Sequence, residues 1–551
     1  MENKDPHSYD PLVRLLELFE GESVRQASEE NLEGMPPDEV LVKHIVDGTK
    51  KNLETHIDAC LETRSPLSVI NDVLLEGMKT VGELFGAGKM QLPFVLQSAE
   101  VMKQAVKYLE PMLDKSEAQD RGSILLATVA GDVHDIGKNL VDIILSNNGY
   151  RVVNIGIKQP INNIIEQALE HKVDVIGMSG LLVKSTLIMK DNLSELNDRG
   201  LSTFPVILGG AALTRGYVEQ DLSQIYKGQV RYAQDAFEGL RLMEEVRDTP
   251  NERTAETSVE RVASHRVGVI DQALYVFSGE RSEIVPVMPP KLPFYGARSF
   301  SRIDLGEVFG YVNRVALFRG QWQYKKPQDM TNAEFSNWLE QNVEPVFERL
   351  KRELVPVIKP EVKWGYFYAK SSGNDLIVYE EDQETERTRF TFPRQRAEKR
   401  LCLADFFQPE ESPVCDVVGF SLVTIGRRVT ELERKQFQDG SYQEYLWTHG
   451  LGVETAEALA EYWHLQMRRE LNIDDNEPAE RRLLFSAKYH GARYSFGYPA
   501  CPNLEDQSKI FDLLRPEDIG VSLTEEFMLD PEQSTSAIVI HHPDAKYFNI
   551  R

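Results

Sequence analysis

Between about Pro36 and Ser116, apolar residues recur every three or four positions, as in Val40-Leu41-His44-Ile45 and Val95-Ala99-Met102-Ala105. That spacing predicts amphipathic helices. Gly77, Gly82, Gly86 and Gly88 punctuate the stretch, and Pro93 opens its last long helix. A small four-helix bundle over 36–117 follows, after a polar, weakly periodic lead-in over 1–35. The period changes after Gly122. Short apolar runs at Ser123–Val129, Arg151–Gly156, Val173–Met178 and Pro205–Leu208 alternate with helical stretches at Lys138–Asn147, Ile161–Glu170 and Thr186–Asp198. Alternating strands and helices predict a Rossmann-like, doubly wound parallel sheet over 118–248. The segment 249–288 starts charged and aperiodic (Asp248-Thr249-Pro250-Asn251-Glu252-Arg253) and runs into the four prolines of Val285–Pro293; it reads as a linker. Residues 289–551 read as a mixed α+β domain. Helices are expected at Asn332–Arg352 and Val453–Glu470, strands at Trp364–Lys370 and Asp375–Tyr379, and a glycine- and proline-rich stretch at Arg493–Pro502. The chain is thus a multidomain α and α/β protein.

Ligands of a doubly wound sheet bind beyond the carboxyl ends of its strands. The loops after Val129, Met178 and Leu208 therefore line one site. The first reads Gly131-Asp132-Val133-His134-Asp135-Ile136-Gly137. A carboxylate two residues from a histidine can accept from one ring nitrogen, fix the tautomer and raise the basicity of the other. Gly137 permits a bulky ligand or a tight turn. Alone, such a histidine is more often a helix cap or a satisfied loop residue. The dipeptide His134-Asp135 also occurs in metal phosphohydrolases, but the neighbouring loops hold none of the further His and Asp ligands. The second loop, Ser179-Gly180-Leu181-Leu182, and the third, Gly209-Gly210-Ala211-Ala212, end their strands in small residues. Small residues are needed where something large slides between strand and helix.

Composition narrows the field. The 551 residues carry 62 basic and 87 acidic side chains, a formal charge of -25, which disfavours nucleic acid and anionic membranes. Four scattered cysteines, Cys60, Cys402, Cys415 and Cys501, form no C-x-x-C pair, which argues for a reducing, cytoplasmic setting. No apolar run approaches the length of a membrane span.

Asp132-x-His134-x-x-Gly137, then Ser179-x-Leu181, then Gly209-Gly210 resembles the pattern of base-off, histidine-on cobalamin domains. The likeness extends over about 36–551 to the C-terminal half of cobalamin-dependent methionine synthases: helical cap, cobalamin domain and reactivation domain. Val81–Gln91, Met102-Lys103-Gln104-Ala105, Tyr108-Leu109-Glu110-Pro111 and Gly497-Tyr498-Pro499-Ala500-Cys501-Pro502 carry it. The resemblance implies that His134 is the lower axial ligand of cobalt, with Asp132 and Ser185 completing a hydrogen-bonded relay that acts in catalysis. Gly131, Val133, Asp135, Gly137, Ser179, Val183, Gly209, Gly210 and Ala236 would line the rest of the cobalamin site, with Tyr232–Ala236 closing its far side. Val183 stands where well-known members have threonine. In the cap, Phe85, Leu92 and Val95 would cover the upper face; from the residues alone they are bundle core. Asn71 takes a place where some members have glutamate. In the last domain Arg493 would hold the carboxylate of S-adenosylmethionine, with Ser495, Tyr498, Tyr547 and Phe548 around the adenosyl group. Glu457 shares a helical face with Glu461, His464 and Arg468, and Asn313 falls where some members carry an aspartate for the same ligand.

The activity so implied is methyl transfer from methyltetrahydrofolate to homocysteine by way of methylcobalamin. Oxidised cofactor would be rescued by S-adenosylmethionine and an electron from a flavodoxin- or ferredoxin-type protein. The zinc-dependent homocysteine module and the folate module are absent from the chain, so they are expected elsewhere, in cis or in trans. The alternative is a stand-alone corrinoid methyl carrier serving a separate methyltransferase, which leaves 290–551 without a use. A cobalamin-dependent transcription regulator would need a basic face, and a radical enzyme a three-cysteine cluster.

Overall fold

The computed structural model describes residues 35–113, 121–248, 274–327, 330–396, 399–474, 484, 489–548 and 550. The expected lead-in before residue 35 and the first part, 249–273, of the linker expected over 249–288 lie outside them. The chain divides into two compact units: Met1–Glu83 with Ser98–Ala118, and Leu84–Gln97 with Gln119–Arg551.

In the first unit lie helices α1 (Pro37–Asp47) and α2 (Leu53–Leu61), the start of α3 (Leu75–Gly86) and the end of α4 (Leu92–Leu109). A π-helical turn over Val69–Leu74, which contains Asn71, leads into α3. The three- and four-residue apolar spacing buries Leu41, Ile45, Leu53, Ile57, Val81, Met102 and Leu109. A side chain at Gly77 would meet Ile45 Cβ at 2.8 Å, so this glycine lets α1 and α3 approach.

The second unit holds two sheets. The first is parallel, in the order β2 (Arg151–Gln159), β1 (Ser123–Val129), β3 (Val175–Ser179), β4 (Val206–Gly209) and β5 (Val230–Ala233). Helices α6 (Ile161–Glu170) and α7 (Val183–Asp198) cover one face through Ile164, Ala168, Met189 and Leu193. Helices α5 (Ile136–Ser146) and α8 (Ala236–Asp248) cover the other through Leu145, Leu242 and Met243. Burial on both faces explains why β1 is an unbroken apolar run. All five strands run the same way, so the loops after β1, β3, β4 and β5 gather at one edge.

The second sheet is antiparallel, ordered β11 (Ala492–Ser495), β14 (Ser534–Ile540), β10 (Asp416–Thr424), β7 (Glu361–Ser372), β8 (Asp375–Tyr379) and β9 (Glu386–Thr391), with β6 (Gly296–Phe300) beside β7. Around it stand α9 (Leu305–Phe309), α10 (Asn332–Asn342), α11 (Glu344–Leu354), α12 (Arg428–Asp439), the 29-residue α13 (Tyr442–Glu470) and α14 (Asp506–Leu514). The hairpin of β12 (Ser522–Leu523) and β13 (Leu529–Asp530) leads into β14. The single helix expected over Asn332–Arg352 is two: Val343 leaves the helical run at φ -109, and Pro345 sits in the first turn of α11. Proline lacks the N–H that would bond to the preceding turn, so it starts helices readily and interrupts them elsewhere. The helix expected from Val453 starts eleven residues earlier, at Tyr442.

Candidate functional site

The β1–α5 loop is organised by one carboxylate. Asp132 is fully buried, and its Oδ1 accepts from the His134 backbone N–H (2.9 Å) and from His134 Nδ1 (2.8 Å). Its Oδ2 accepts from the Ser185 hydroxyl (2.5 Å) at the start of α7 and from the Leu181 N–H (2.8 Å). With Asp132 acting only as acceptor, Nδ1 must carry the proton, and Nε2 is the nitrogen available to a ligand. Among the described residues none hydrogen-bonds to Nε2. Burial raises the Asp132 carboxyl, but the bonds from His134 and Ser185 outweigh it, and the group stays below the usual carboxylate range. Burial likewise pulls the His134 imidazole down; Asp132 and the charge of Glu532 outweigh that and lift it above an ordinary histidine.

His134 lines a cavity of about 470 Å³ at the carboxyl edge of the parallel sheet. Ser179–Leu181, Gly209–Ala211 and Tyr232–Phe237 surround it, and Ile124, Leu126, Gly177 and Ile207 extend it down among the strands. Two glycines are required by geometry. Gly210 has φ +140, and a Cβ there would lie 1.9 Å from the Gly180 carbonyl oxygen. Gly131 has φ +72 and Glu526 Cγ 2.0 Å from any Cβ. Gly137 differs: it lines the cavity, and a Cβ there would meet no protein atom within 4 Å. Phe85 stacks on Phe237 (centroids 4.6 Å apart, 23° between planes) and, with Leu92, lines the opening. Val95 is fully buried and is not among the lining residues, as a core residue would be.

The antiparallel region reaches the same loop. Lys158 pairs with Asp530 (2.6 Å) and Lys184 with Glu526 (2.6 Å). Asn139 donates to the Tyr445 hydroxyl (2.9 Å). Gln91 makes two hydrogen bonds with the backbone of Lys325, both 2.7 Å, and Gln323 and Lys325 join the cavity wall. Beyond Glu532 lies His449, whose ring is 3.4 Å from Glu433 and 3.9 Å from Glu532. Both Glu433 oxygens accept from the Gln533 amide at 3.2 Å.

A second constellation sits on α13 and β11. Arg493 pairs with Glu457 (Nη2–Oε2, 3.0 Å) and Glu461 (Nε–Oε2, 3.2 Å). Tyr498 and Tyr547 are the open aromatics here, both more than half exposed, and the Tyr498 hydroxyl feels Glu457, Arg493 and Tyr547. Ser495 ends β11, its carbonyl accepting from the Tyr498 N–H (3.4 Å). Phe548 instead belongs to the core, edge-on to Tyr494. Asn313 is committed to a backbone cap, accepting from Val315 and Ala316.

Residues 122–241 match a B12 binding domain family, and 12–110 match another family of that description. Residues 318–551 match the activation domain of vitamin B12 dependent methionine synthase. The methionine synthase of Mycobacterium tuberculosis (strain ATCC 25618 / H37Rv) is 46% identical over 98% of this chain and 49% of that protein. The chain belongs to the cobalamin-dependent methionine synthase family. The Mycobacterium leprae (strain TN) methionine synthase is also 46% identical, over 98% of this chain and 49% of its own length. The chain thus spans about half the length of these curated relatives. A crystal structure of the MetH reactivation domain bound to AdoHcy is 26% identical, covering 48% of this chain and 84% of that one at a TM-score of 0.43.

Of the residues the family resemblance singled out, the structure brings His134, Gly137, Ser179, Gly209, Gly210, Ala236, Phe85 and Leu92 to one cavity. Asp132 and Ser185 stand behind His134. Asp135 precedes α5 as its N-cap residue, without a side-chain capping bond. Val133 is buried, and Val183 opens on a different cavity, of about 740 Å³, beside Leu182 and Lys184. Phe237, Lys138, Gln323 and Lys325 are cavity residues without a motif to announce them. Lys138 is nearly completely buried, donates to Asn154 Oδ1 (2.7 Å), and is pulled below the usual lysine range by that burial. Among the described residues no three His, Cys, Asp or Glu side chains converge to hold a metal ion by themselves, as the phosphohydrolase alternative requires. No described helix is long and apolar enough to cross a membrane.

Proposed function

We propose that the chain is the cobalamin-carrying and reductively reactivating portion of a methionine synthase. Its regions would be a helical cap over 36–117, a cobalamin-binding domain over 118–248 and an S-adenosylmethionine-binding activation domain over 289–551. The observation that carries the reading is the Asp132 clamp: one carboxylate oxygen takes His134 Nδ1, the other takes Ser185, and Nε2 is left for cobalt. The donor set fits, because an imidazole oriented by a buried carboxylate is a good ligand for a transition metal. The cavity fits too: Gly137 leaves open space on its wall, and Ile124, Leu126 and Ile207 give it apolar depth where a nucleotide tail would enter. Bound there, cobalamin supplies a cobalt centre able to accept and pass on a methyl group. His134 would hold the metal through Nε2, and Asp132 with Ser185 would keep Nδ1 protonated and the ring oriented. Phe85 and Leu92 would exclude water from the opening.

At the second constellation Arg493 would take the carboxylate of S-adenosylmethionine and Glu457 its ammonium, with Tyr498 and Tyr547 framing the adenosyl group. The Arg493–Glu457 pair is the arrangement a zwitterion can open and satisfy from both sides. The electron would come from a flavodoxin- or ferredoxin-type protein, and homocysteine and methyltetrahydrofolate from modules in cis or in trans. Four free cysteines suit the reducing cytoplasm. The activation-domain match over 318–551 favours this reading over a stand-alone corrinoid carrier.

The test is spectroscopic. The chain loaded with cobalamin is expected to show a nitrogen-ligated corrin absorption spectrum, and His134→Gly a spectrum with no nitrogen ligand. An unchanged spectrum in the variant rules out the ligand assignment. Reductant with S-adenosylmethionine is expected to change the spectrum further than reductant alone and to release AdoHcy; no dependence on S-adenosylmethionine rules out the reactivation reading.

A further inference from the structure

Helix α13 presents Glu454, Glu457 and Glu461 at i, i+3 and i+7, one face of the helix. Arg493 uses the last two. Glu454, one turn earlier, is 8% exposed, and among the described residues no cation pairs with it. Its side-chain partner is the carboxamide of Gln321, and burial together with the neighbouring Glu457 pushes its carboxyl up to about 7. A buried carboxylate beside a second carboxylate is costly until a positive charge reaches it. Among the described residues Arg493, the cation of this face, is engaged by Glu457 and Glu461 instead. The Tyr498 hydroxyl feels both Glu454 and Glu457, so the two carboxylates lie near the same exposed tyrosine.

The ligand read for this site carries three charges. Its carboxylate and ammonium are answered by Arg493 and Glu457, and AdoHcy, the demethylated product, has both of these groups. The sulfonium belongs to the methyl donor alone. Three single bonds separate sulfur from the ammonium-bearing carbon, about 4–5 Å, close to the rise of about 4.5 Å between Glu457 and Glu454 on the helix. With the amino-acid end held at Arg493 and Glu457, the sulfonium therefore lies within Coulomb range of Glu454.

We propose that Glu454 is the specificity residue that separates the methyl donor from its product, by answering the sulfonium charge that only the donor carries. The proposal rests on the S-adenosylmethionine reading of the Arg493 site. Release of the methyl group removes the positive charge, so Glu454 loses its partner at the moment the product should leave.

Titration calorimetry of the cobalamin-loaded full chain with S-adenosylmethionine and with AdoHcy tests it, in the wild type, Glu454→Gln and Glu454→Asp. Glu454→Gln is expected to weaken S-adenosylmethionine binding about tenfold and to leave AdoHcy within a factor of about two. Glu454→Asp, which keeps the charge, is expected to keep the preference. A variant that binds both ligands less well by the same factor, or neither ligand differently, overturns the assignment, because a purely structural role moves both affinities together. Absence of binding of either ligand by the wild type overturns the reading of the site itself, and the proposal with it.

Discussion

A single methyl group at Gly210 is expected to cost on the order of 4 kcal/mol of stability and to abolish cobalamin binding. The backbone there has φ +140, a region closed to residues with a Cβ. The added carbon would also lie 1.9 Å from the Gly180 oxygen and 3.0 Å from its carbonyl carbon. These are backbone atoms and cannot swing aside, and the Gly180 N–H is itself bonded to the Gly209 carbonyl (3.3 Å). Relief therefore requires separating the ends of β3 and β4, which form the cavity wall. Gly137→Ala provides the contrast. Its new carbon meets no protein atom and helical alanine is favourable, so the fold should hold while the corrin content falls. Thermal melts without cofactor and the corrin-to-protein ratio after loading measure the two effects separately. A Gly210→Ala protein that melts within about 1 kcal/mol of the wild type would contradict the geometry.

Much of the parallel domain was legible because its sheet is buried on both faces. Strands such as Ser123–Val129 then read as continuous apolar runs, and parallel connection sends every strand-end loop to one edge. Thus loops about 30 to 80 residues apart in sequence are readable as one site. Strand β5 escaped because Val230-Arg231-Tyr232-Ala233 mixes polar and apolar residues at the sheet margin. Gln323, in a left-handed conformation at φ 57, and Lys325 reach the cavity from the irregular stretch after the helical turn Ala316–Gln321, and no local spacing encodes that approach. The early start of α13 was hidden by Gly450 and Gly452, poor helix formers that serve packing: a Cβ at Gly450 would sit 2.7 Å from Gln321 Cβ. Helical propensity gives way there to tertiary fit. Asn313 and Phe548 show the converse, since the family resemblance implied a ligand contact while the fold uses one as a cap and the other as core.

The His449 cluster was beyond reach of the sequence, because its acids stand 16 and 83 positions away on other elements, and it carries the second large effect. His449→Gln is expected to destabilise the protein by about 3–5 kcal/mol, the cost of removing the cation from a buried ion pair. Burial pulls the His449 imidazole down, but Glu532 and Glu433 outweigh it and push it up to about 9. Burial in turn raises both carboxyls above the usual range, against the pull of His449. A histidine raised on folding contributes stability that is fully present below its unfolded value of 6.5 and is lost as pH rises through about 9. The raised carboxyls offer no compensating gain over that interval, since a group raised on folding never becomes more favourable as it ionises. Denaturant melts of the wild type should therefore lose on the order of 3 kcal/mol between pH 6.5 and 9, whereas the variant starts low and changes little. A wild type equally stable at both pH values, or a variant with the same pH slope, would mean that the imidazole between Glu433 and Glu532 is neutral.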